Sequence, residues 1–406
     1  MKIKLSKLTL IVSTVGMILV ALVLTSTLNT SVEIKDIYGN REFLGNMSIV
    51  FQNRKSTFNT QEIIVNKDKI RTKNFVKEGS YTAKLTEENI ENREIFNHTY
   101  KESLVFEDKN SAGTLNLDFS HEESAKANIE LRDKKSKKIK SYMIDVKMDL
   151  PINKYDSYTC ENLVIKEGDN LYLTVLCSPY DMAKNTEKAD DKYYGYVYKD
   201  KTVLSLYKIN LANESSTHMG SMEYECKDLN IQESSFTNGN KVYFTINVKN
   251  KEDDNYTTKL LEFDVKTKKA EIIDLGLTND KVVNFGELKN NEVLLISTSK
   301  ENQYEGMISH KIDVILLDLN SKKVKYTKTL DGKYFGTPYE NQQIAMREDN
   351  KIYIISPEED NKLDYDINHI KAFNIYVFDE NSGEKLYHGT AEMNYNLASR
   401  VGLVKQ

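Results

Sequence analysis

From residue 103 onward, short apolar runs rich in β-branched and aromatic residues alternate with short polar turns. Four of these runs directly follow a polar turn that ends in Asn, and they cover residues 171–177, 241–248, 292–297 and 351–356. Each pattern is typical of a hairpin that leads into a strand, and Asn238-Gly239 is the strongest turn signal among them. The pattern therefore predicts a series of antiparallel strand pairs.

A second β-rich run follows each of these after a longer connection, and it ends in Asn or Asp. These last residues are Asn210, Asp264, Asp318 and Asp379, which lie 54, 54 and 61 residues apart. A fifth copy precedes them, with runs at 103–106, 114–119, 128–133 and 139–146. A period of this length in an all-β sequence is typical of a radial array of similar four-stranded sheets.

The sequence therefore predicts an all-β fold, a β-propeller of six to eight four-stranded blades, in which a terminal strand can close the ring and protect its edges. Strand-like runs at 47–51 and 62–65 are not placed within a blade. Tandem β-sandwiches are the alternative, because they also produce short strands and polar turns. The chain of 406 residues has no Trp, which excludes propeller repeats that need an indole at a fixed position.

The N-terminal region carries a different pattern. Residues 8–28 are uncharged and apolar, and as a helix they would span about 30 Å, the thickness of a bilayer core. Lys2, Lys4 and Lys7 precede the segment, so the positive-inside rule keeps the N-terminus in the cytoplasm. The predicted organisation is a cytoplasmic tail (1–7), a transmembrane helix (8–28), a linker (29–42) and an extracytoplasmic domain (43–406).

A cleaved signal peptide is the alternative interpretation of this segment. No A-x-A site follows it, and no lipobox Cys is present because the first Cys is Cys160, so an uncleaved signal anchor in the cell membrane is favoured. The combination of anchor and repeat resembles the broad class of membrane-anchored extracytoplasmic propeller proteins of low-GC bacteria. The abundance of Lys, Asn and Ile fits such a source.

Charge narrows the choice of partner. Beyond the three N-terminal lysines the chain has 53 basic and 61 acidic residues, a formal charge of −8. An acidic surface repels phosphate backbones, so nucleic acid is not expected as a partner. The membrane, through residues 8–28, and a protein or cell-envelope ligand are the expected partners.

The longest connections join the second and third strands of the predicted blades, at 178–201, 249–258, 298–310 and 357–371. In an up-and-down sheet these connections share one face, and long loops on a rigid scaffold are common binding sites. They carry tyrosines, which stack at low entropic cost, and carboxylates, which accept hydrogen bonds from cations, sugars or basic peptides. Solubility alone also explains acidic loops. The candidate ligand-binding residues are Asp190, Asp191, Tyr193, Tyr194, Asp253, Asp254, Tyr256, Tyr304, Glu358, Asp360, Asp364, Tyr365 and Asp366.

No cofactor or metal site is expected. The acidic segment 358–366 could offer oxygen ligands to Ca²⁺, but it lacks the spacing of a calcium loop. The six histidines form no close pair or H-E-x-x-H motif, and no phosphate-binding glycine motif occurs. We therefore predict no catalytic residues.

Cysteine spacing predicts one disulfide. If Gly168-Asp169 is a two-residue hairpin loop, Glu167 pairs with Asn170 and, by the same register, Cys160 lies opposite Cys177. Export to an oxidising compartment would allow the bond to form. A loop of odd length would break this register.

These features favour a non-catalytic binding or sensory module that holds a partner through the long-loop face. The alternatives are an accessory subunit of a membrane transporter or signalling complex, and an extracytoplasmic metal-dependent hydrolase or lyase. The enzyme would need acids or histidines repeated at equivalent first-strand positions, and the sequence shows no such repeat.

Overall fold

The computed structural model describes residues 32–54, 59–76, 104–121, 124–136, 138–148, 157–182, 196–198, 202–224, 235–249, 256–278, 281–299, 308–335, 344–358, 372–393 and 400–405. These residues form 26 β-strands and one short 3₁₀ helix. The strands assemble into six antiparallel sheets, which we number I to VI along the chain.

Sheets II to V are each built from consecutive strands. Sheet II contains β5 (Leu104–Glu107), β6 (Ser111–His121), β7 (Ser124–Asp133) and β8 (Ile139–Lys147). Sheet III contains β9 (Ser157–Glu167), β10 (Asn170–Met182), β12 (Thr202–Asn210) and β13 (Ser215–Tyr224), and a short β11 (Tyr196–Tyr198) pairs with the far end of β10. Sheet IV contains β14 (Phe236–Asn238), β15 (Lys241–Lys249), β16 (Tyr256–Asp264) and β17 (Lys269–Thr278). Sheet V contains β18 (Lys281–Lys289), β19 (Glu292–Ser299), β20 (Ile308–Asp318) and β21 (Lys323–Phe335).

Sheets I and VI are built from both ends of the described chain. Sheet VI contains β22 (Ile344–Glu348), β23 (Lys351–Glu358), β24 (Ala372–Asp379) and β25 (Lys385–Met393), and β1 (Val32–Gly39) pairs with β25 as a fifth, outermost strand. Sheet I contains β2 (Met47–Arg54), β3 (Asn59–Val65) and β4 (Ile70–Val76), and β26 (Arg400–Lys405) pairs with β2. The two sheets therefore each hold one strand from the opposite end of the chain, which ties their ends together.

Close packing fixes the end of β1. Gly39 has a φ of 72°, and a Cβ at this position would lie 2.0 Å from the backbone oxygen of Leu386 in β25. A side chain cannot occupy that space. The 3₁₀ helix Arg41–Leu44 follows, and it buries Leu44 against the core of sheets I and VI.

Five apolar clusters join neighbouring sheets in the order I, VI, V, IV, III, II. Phe51 of sheet I packs against Phe373 of sheet VI, with ring centroids 5.4 Å apart. The other clusters lie between VI and V, V and IV, IV and III, and III and II. Sheets III to VI thus bury both faces, which explains the nearly continuous burial of third strands such as β12 and β24. A pair of two-sheet sandwiches would not pack in this way.

The repeat predicted from the sequence is confirmed as an all-β architecture. The five predicted copies correspond to sheets II to VI, and the runs at 47–51 and 62–65 lie in β2 and β3 of sheet I. The predicted linker at 29–42 is wrong over much of its length, because residues 32–39 form β1 and Arg41 begins the 3₁₀ helix. β1 is exposed along most of its length, and its pairing partner lies at the other end of the chain.

No helix among the residues listed above is long and apolar enough to cross a bilayer. The predicted transmembrane segment 8–28 lies outside the described residues, so it stays a prediction from the sequence.

Candidate functional site

The two ends of the sheets differ in how their strands are connected. The strands of each sheet are counted in spatial order, so that β26 is the first strand of sheet I. At one end lie the tight turns from first to second and from third to fourth strands, and we call this end the short-turn rim. At the opposite end lie the connections from second to third strands and those between sheets, and we call this end the long-connection rim.

First-to-second turns adopt conformations that suit antiparallel hairpins. Asn290 and Asn291 have φ values of 54° and 61°, and Asp349 and Asn350 have φ values of 51° and 58°. Two consecutive residues with positive φ match the twist of the flanking strands, and Asn and Asp tolerate this conformation better than other side chains. Gly168 and Gly239, both with φ of 59°, start the corresponding turns in sheets III and IV.

Third-to-fourth turns share one side-chain motif in all six sheets. An Asn or Asp at the end of the third strand accepts hydrogen bonds through Oδ1 from the backbone N–H groups two and three residues later, at 2.6–3.3 Å. This Asx geometry satisfies two donors that the turn leaves unpaired. The six residues are Asn66, Asp133, Asn210, Asp264, Asp318 and Asp379.

The two kinds of turn are also bonded to each other. In five sheets the residue after that Asn or Asp donates its backbone N–H to a carbonyl of the first-to-second turn, at 2.8–3.0 Å. In sheet III, for example, Leu211 N donates to Asp169 O at 2.8 Å. In these five sheets the two short turns are therefore bonded into one unit.

Ion pairs join these units from sheet to sheet. Lys166 of sheet III binds Asp108 of sheet II at 2.6 Å, and Lys266 of sheet IV binds Glu167 of sheet III at 2.7 Å. Glu348 of sheet VI accepts from Lys289 of sheet V at 2.5 Å and from Lys405 of sheet I. Because these contacts join turns and the strand ends beside them in neighbouring sheets, the short turns of these sheets lie at the same rim.

Two further ion-pair networks between sheets are largely buried. Glu262 of sheet IV accepts from Tyr243 Oη at 2.9 Å and from the ammonium groups of Lys241 and Lys322 at 2.7 and 3.1 Å. Burial alone would raise the pKa of Glu262, but the hydrogen bonds from Lys241, Lys322 and Tyr243 hold it below its ordinary value. The carboxylate is therefore charged and fully used within the interface of sheets IV and V.

Arg347 forms the equivalent contact between sheets V and VI. Its guanidinium donates to Glu292 at 2.9 Å and to Glu380 at 3.1 Å. Burial lowers the pKa of Arg347, but the two carboxylates outweigh burial and raise it. Tyr326 also donates to Glu380, at 2.9 Å. These charged groups bind one another across the interface and so hold sheets V and VI together.

Glu287, in the first strand of sheet V, is a half-buried carboxyl of a different kind. Burial raises its pKa, against the opposing effect of a hydrogen bond from Arg347 N at 2.7 Å. Across the described ranges, no group of three or more His, Cys, Asp or Glu side chains is placed to hold a metal ion.

Chain direction places the predicted loops at the long-connection rim. Second strands run from the short-turn rim to this rim and third strands return from it, so all six connections between them leave the sheets at the same end. The strands extend further than predicted: residues 178–182 belong to β10, 256–258 to β16, 298–299 to β19, 308–310 to β20 and 357–358 to β23. The predicted loop boundaries are wrong by up to five residues, because regular pairing continues into these polar stretches.

The candidate binding residues lie mainly in the connections themselves. Tyr256 begins β16, opposite Lys249, and Glu358 ends β23, opposite Ala372. Their strand positions place both at the base of a long connection. The remaining candidates lie outside the described residues: Asp190, Asp191, Tyr193, Tyr194, Asp253, Asp254, Tyr304, Asp360, Asp364, Tyr365 and Asp366.

A disulfide lies towards the long-connection rim of sheet III. Cys160 of β9 pairs directly with Cys177 of β10 in the strand register, their Cα atoms are 4.2 Å apart, and the two sulfurs are bonded. The hairpin register is the one predicted, since Glu167 pairs with Asn170. The bond fixes the two strands near the point where β10 leads into the longest of the predicted loops.

Sequence reasoning missed the inter-sheet ion pairs of the short-turn rim. Their partners lie far apart along the chain, 58 residues for Lys166 and Asp108 and 99 residues for Lys266 and Glu167. One signal was present: a Lys stands four residues after the Asp that ends the third strand in sheets IV and V. These residues, Lys268 and Lys322, have φ values of 56° and 57° and reach back to the preceding sheet.

Comparison of the sequence with known proteins gives no counterpart, because no protein-family model and no curated protein matches the chain. The folded chain is similar to several solved structures. One mutant of the Synechocystis apocarotenoid oxygenase aligns with 93% of this chain and 96% of its own, at 6% identity and a TM-score of 0.44. An oligogalacturonate lyase in complex with manganese aligns with 88% of this chain and 78% of its own, at 9% identity and a TM-score of 0.38.

The β-propeller domain of the Trilobed protease from Pyrococcus furiosus, described as having an open velcro topology, aligns with 57% of each chain at 12% identity and a TM-score of 0.28. This chain therefore spans less than two thirds of that structure, and it covers 60% of a second mutant of the oxygenase. These similarities are distant. The fold described above follows from the strand order and pairing of this chain alone.

Proposed function

We propose that this protein is a membrane-anchored extracytoplasmic binding module, non-catalytic, that holds a protein or cell-envelope ligand through its long-connection rim. The observation that carries the proposal is the contrast between the two rims. Charged side chains of the short-turn rim bind one another across the sheet interfaces, whereas all six second-to-third connections leave the sheets at the opposite rim.

The proposed scaffold is a closed six-bladed β-propeller. Five of its six sheet interfaces correspond to the apolar clusters described above, and the exchange of β1 and β26 between sheets VI and I joins the two ends of the chain. Closure would bring sheet I against sheet II. A rigid ring of this kind holds its connections in fixed positions, which lowers the entropic cost of binding.

The proposed location follows from the sequence. The apolar segment 8–28 is long enough to span a bilayer, and the three lysines before it place the N-terminus in the cytoplasm. The sheets would then lie outside the cytoplasm, held to the cell membrane by one helix.

The test is capture of the full-length protein from its own membranes after mild crosslinking. A loop variant replaces with Ser the acids and tyrosines named above as candidates. A matched control variant replaces three exposed acids of the short-turn rim, Asp68, Asp169 and Glu384, with Ser. We expect one partner to be captured by the natural protein and by the control variant, and to be lost from the loop variant.

Loss of the partner from both variants, with both still folded, would contradict a role specific to the long-connection rim. Capture that is unaffected in either variant would also contradict it. If no partner is captured, binding of ions and wall sugars to the natural protein and to the loop variant would be compared instead, and equal binding by both would overturn the proposal.

A further inference from the structure

We infer that the long-connection rim faces the membrane, so that its partner is the extracytoplasmic face of a membrane-embedded protein rather than a ligand approaching from outside the cell. This inference rests on the membrane anchor of the proposed function. It favours the accessory-subunit form of that function, and it follows from where the chain enters the first described strand.

The chain enters sheet VI at the long-connection rim. β25 runs from the short-turn rim, where it begins at Lys385, to the opposite rim, where it ends at Met393. β1 is antiparallel to β25, and Val32 pairs with Met393. Val32, the first described residue after the predicted anchor, therefore lies at the rim from which the second-to-third connections leave.

This entry point is firmly held. Val32 is only 7% exposed and belongs to the apolar cluster between sheets I and VI. Further along β1, Asp36 accepts from Tyr387 Oη at 2.6 Å and from Arg41 at 2.8 Å, and Lys35 binds Glu392 at 2.6 Å. The start of β1 cannot move away from sheet VI without breaking these contacts.

Little chain separates this point from the predicted membrane segment. Only residues 29–31 lie between Leu28 and Val32, so the two Cα atoms can be at most about 15 Å apart. β1 itself extends for about 25 Å away from that rim. An anchor that ends at Leu28 therefore brings the long-connection rim of sheet VI next to the bilayer surface, and the short-turn rim lies further away.

Charge selects the kind of partner on that surface. The four long connections predicted from the sequence together carry 15 acidic residues and 10 lysines, a formal charge of −5, and the excess is largest in 357–371, which has five acids and two lysines. Carboxylates are repelled by anionic lipid headgroups and attracted by Lys and Arg. A membrane-embedded protein with basic extracytoplasmic loops therefore fits this rim better than the lipid surface does.

One feature of β1 points to a competing arrangement. Ile37, Tyr38 and Phe43, near the short-turn end of β1, are 59%, 53% and 36% exposed. If these side chains entered the interface, the protein would lie on its side with β1 along the membrane. The two arrangements predict different distances from the bilayer for the two ends of the same sheet.

The test measures these distances with matched cysteine pairs, one at each rim of the same sheet. In full-length protein that carries Cys226→Ser, single exposed residues are replaced by Cys: Lys147 and Lys135 in sheet II, Asp331 and Lys323 in sheet V, and Glu33 and Glu384 in sheet VI, the long-connection position being given first. The protein is reconstituted into phosphatidylcholine vesicles. It is then labelled with a membrane-impermeant fluorescent maleimide, and lipids with a nitroxide headgroup serve as the quencher.

We expect the long-connection member of every pair to lose more fluorescence than its short-turn partner. Equal loss within the pairs, or a larger loss at the short-turn positions, would overturn the inference. A Tyr38→Cys label quenched as strongly as Glu33→Cys would show the protein lying on its side. Carbonate extraction separates the two proposals: release of the protein from the vesicles overturns the anchor itself, whereas retention with equal or reversed quenching overturns only the orientation.

A second measurement tests the partner. A photo-crosslinking group at the same six positions, in native membranes, should give adducts with carbonate-resistant proteins from the long-connection positions and not from their short-turn partners. Adducts with lipid alone from the long-connection positions would overturn the choice of a protein partner.

Discussion

The short-turn rim and the long-connection rim are opposite ends of the same strands, yet they are built by different rules. At the short-turn rim the Asx motif recurs in all six sheets, and charged side chains that flank it in sheets IV and V bind the preceding sheet. At the long-connection rim the connections differ in length and sequence from sheet to sheet. Repetition at one rim and variety at the other are expected when one end holds the scaffold together and the other binds.

The difference gives a rule for mutations. Changes at the short-turn rim should lower the free energy of unfolding and leave binding intact in the proteins that still fold. Changes in the long connections should weaken binding and leave the free energy of unfolding nearly unchanged.

The largest effect is expected where a covalent bond supports the base of a long connection. Replacing Cys160 and Cys177 together with Ser should lower the free energy of unfolding by about 3 kcal/mol, because the unfolded chain gains the freedom of the 17-residue loop. Urea unfolding of the full chain in mild detergent measures the change, with Cys226→Ser as a reference that keeps the bond. Natural protein denatured without reductant should show one free thiol, and three free thiols would contradict the disulfide.

The next effect is expected at the buried charge between sheets IV and V. Glu262→Gln removes the carboxylate from Lys241, Lys322 and Tyr243, and we expect a loss of about 2 kcal/mol in the free energy of unfolding. Glu271→Gln is the matched control, because Glu271 also binds Lys322 but its side chain is 58% exposed, and it should cost less than about 0.5 kcal/mol. Equal effects of the two changes would show that burial of Glu262 contributes nothing.

A smaller effect is expected from the repeated turn motif. Asp264→Ala leaves the N–H groups of Lys266 and Thr267 without their acceptor, and it should cost about 1 kcal/mol. Asp264→Asn keeps an oxygen at the same position and should recover most of the stability. The same urea titration decides the matter, and a deficit in the Asn variant as large as that in the Ala variant would rule out the Asx hydrogen bonds as the cause.

Much of the strand order could be predicted from the sequence because the signals for it are local. A polar turn, a β-rich run and a final Asn or Asp lie within a few residues of one another, so the order of strands in sheets II to VI and the pairing of Cys160 with Cys177 follow from spacing alone. Strand pairing confirms that order.

What the sequence could not predict depends on distant partners. β1 resembles a linker because Lys35 and Asp36 interrupt its apolar residues, and its strand character comes from pairing with β25, where Lys35 binds Glu392, 357 residues away. The six residues of β26 complete sheet I in the same way. The long strands also continue into polar segments such as 178–182, where pairing with β9 and β11 outweighs local preference.

Acid should destabilise the short-turn rim only at low pH, when Asp108 becomes protonated. Burial would raise the pKa of Asp108, but hydrogen bonds from Lys166 and from the N–H groups of Asn110 and Ser111 lower it from 3.8 to about 2. A lowered pKa in the folded protein means that the stabilising contribution is complete above pH 3.8 and is lost as the pH falls towards 2. Asp108→Asn should remove this part of the pH dependence, measured by urea unfolding at a series of pH values. An identical pH profile in the variant would contradict the role of the Asp108–Lys166 pair.

The smallest effect on stability is expected in the long connections, where the effect on binding should be largest. Asp253→Ser with Asp254→Ser alters the connection between β15 and β16, and Tyr256→Phe removes only the hydroxyl at the start of β16. Because scaffold contacts such as the Glu262 network lie at the other rim, these changes should shift the free energy of unfolding by less than about 0.5 kcal/mol. Capture of the crosslinked partner should nevertheless fall, while the short-turn control variant keeps it. A stability loss as large as that of Glu262→Gln, or binding that survives changes in all four long connections, would show that the two rims do not divide scaffold and binding between them.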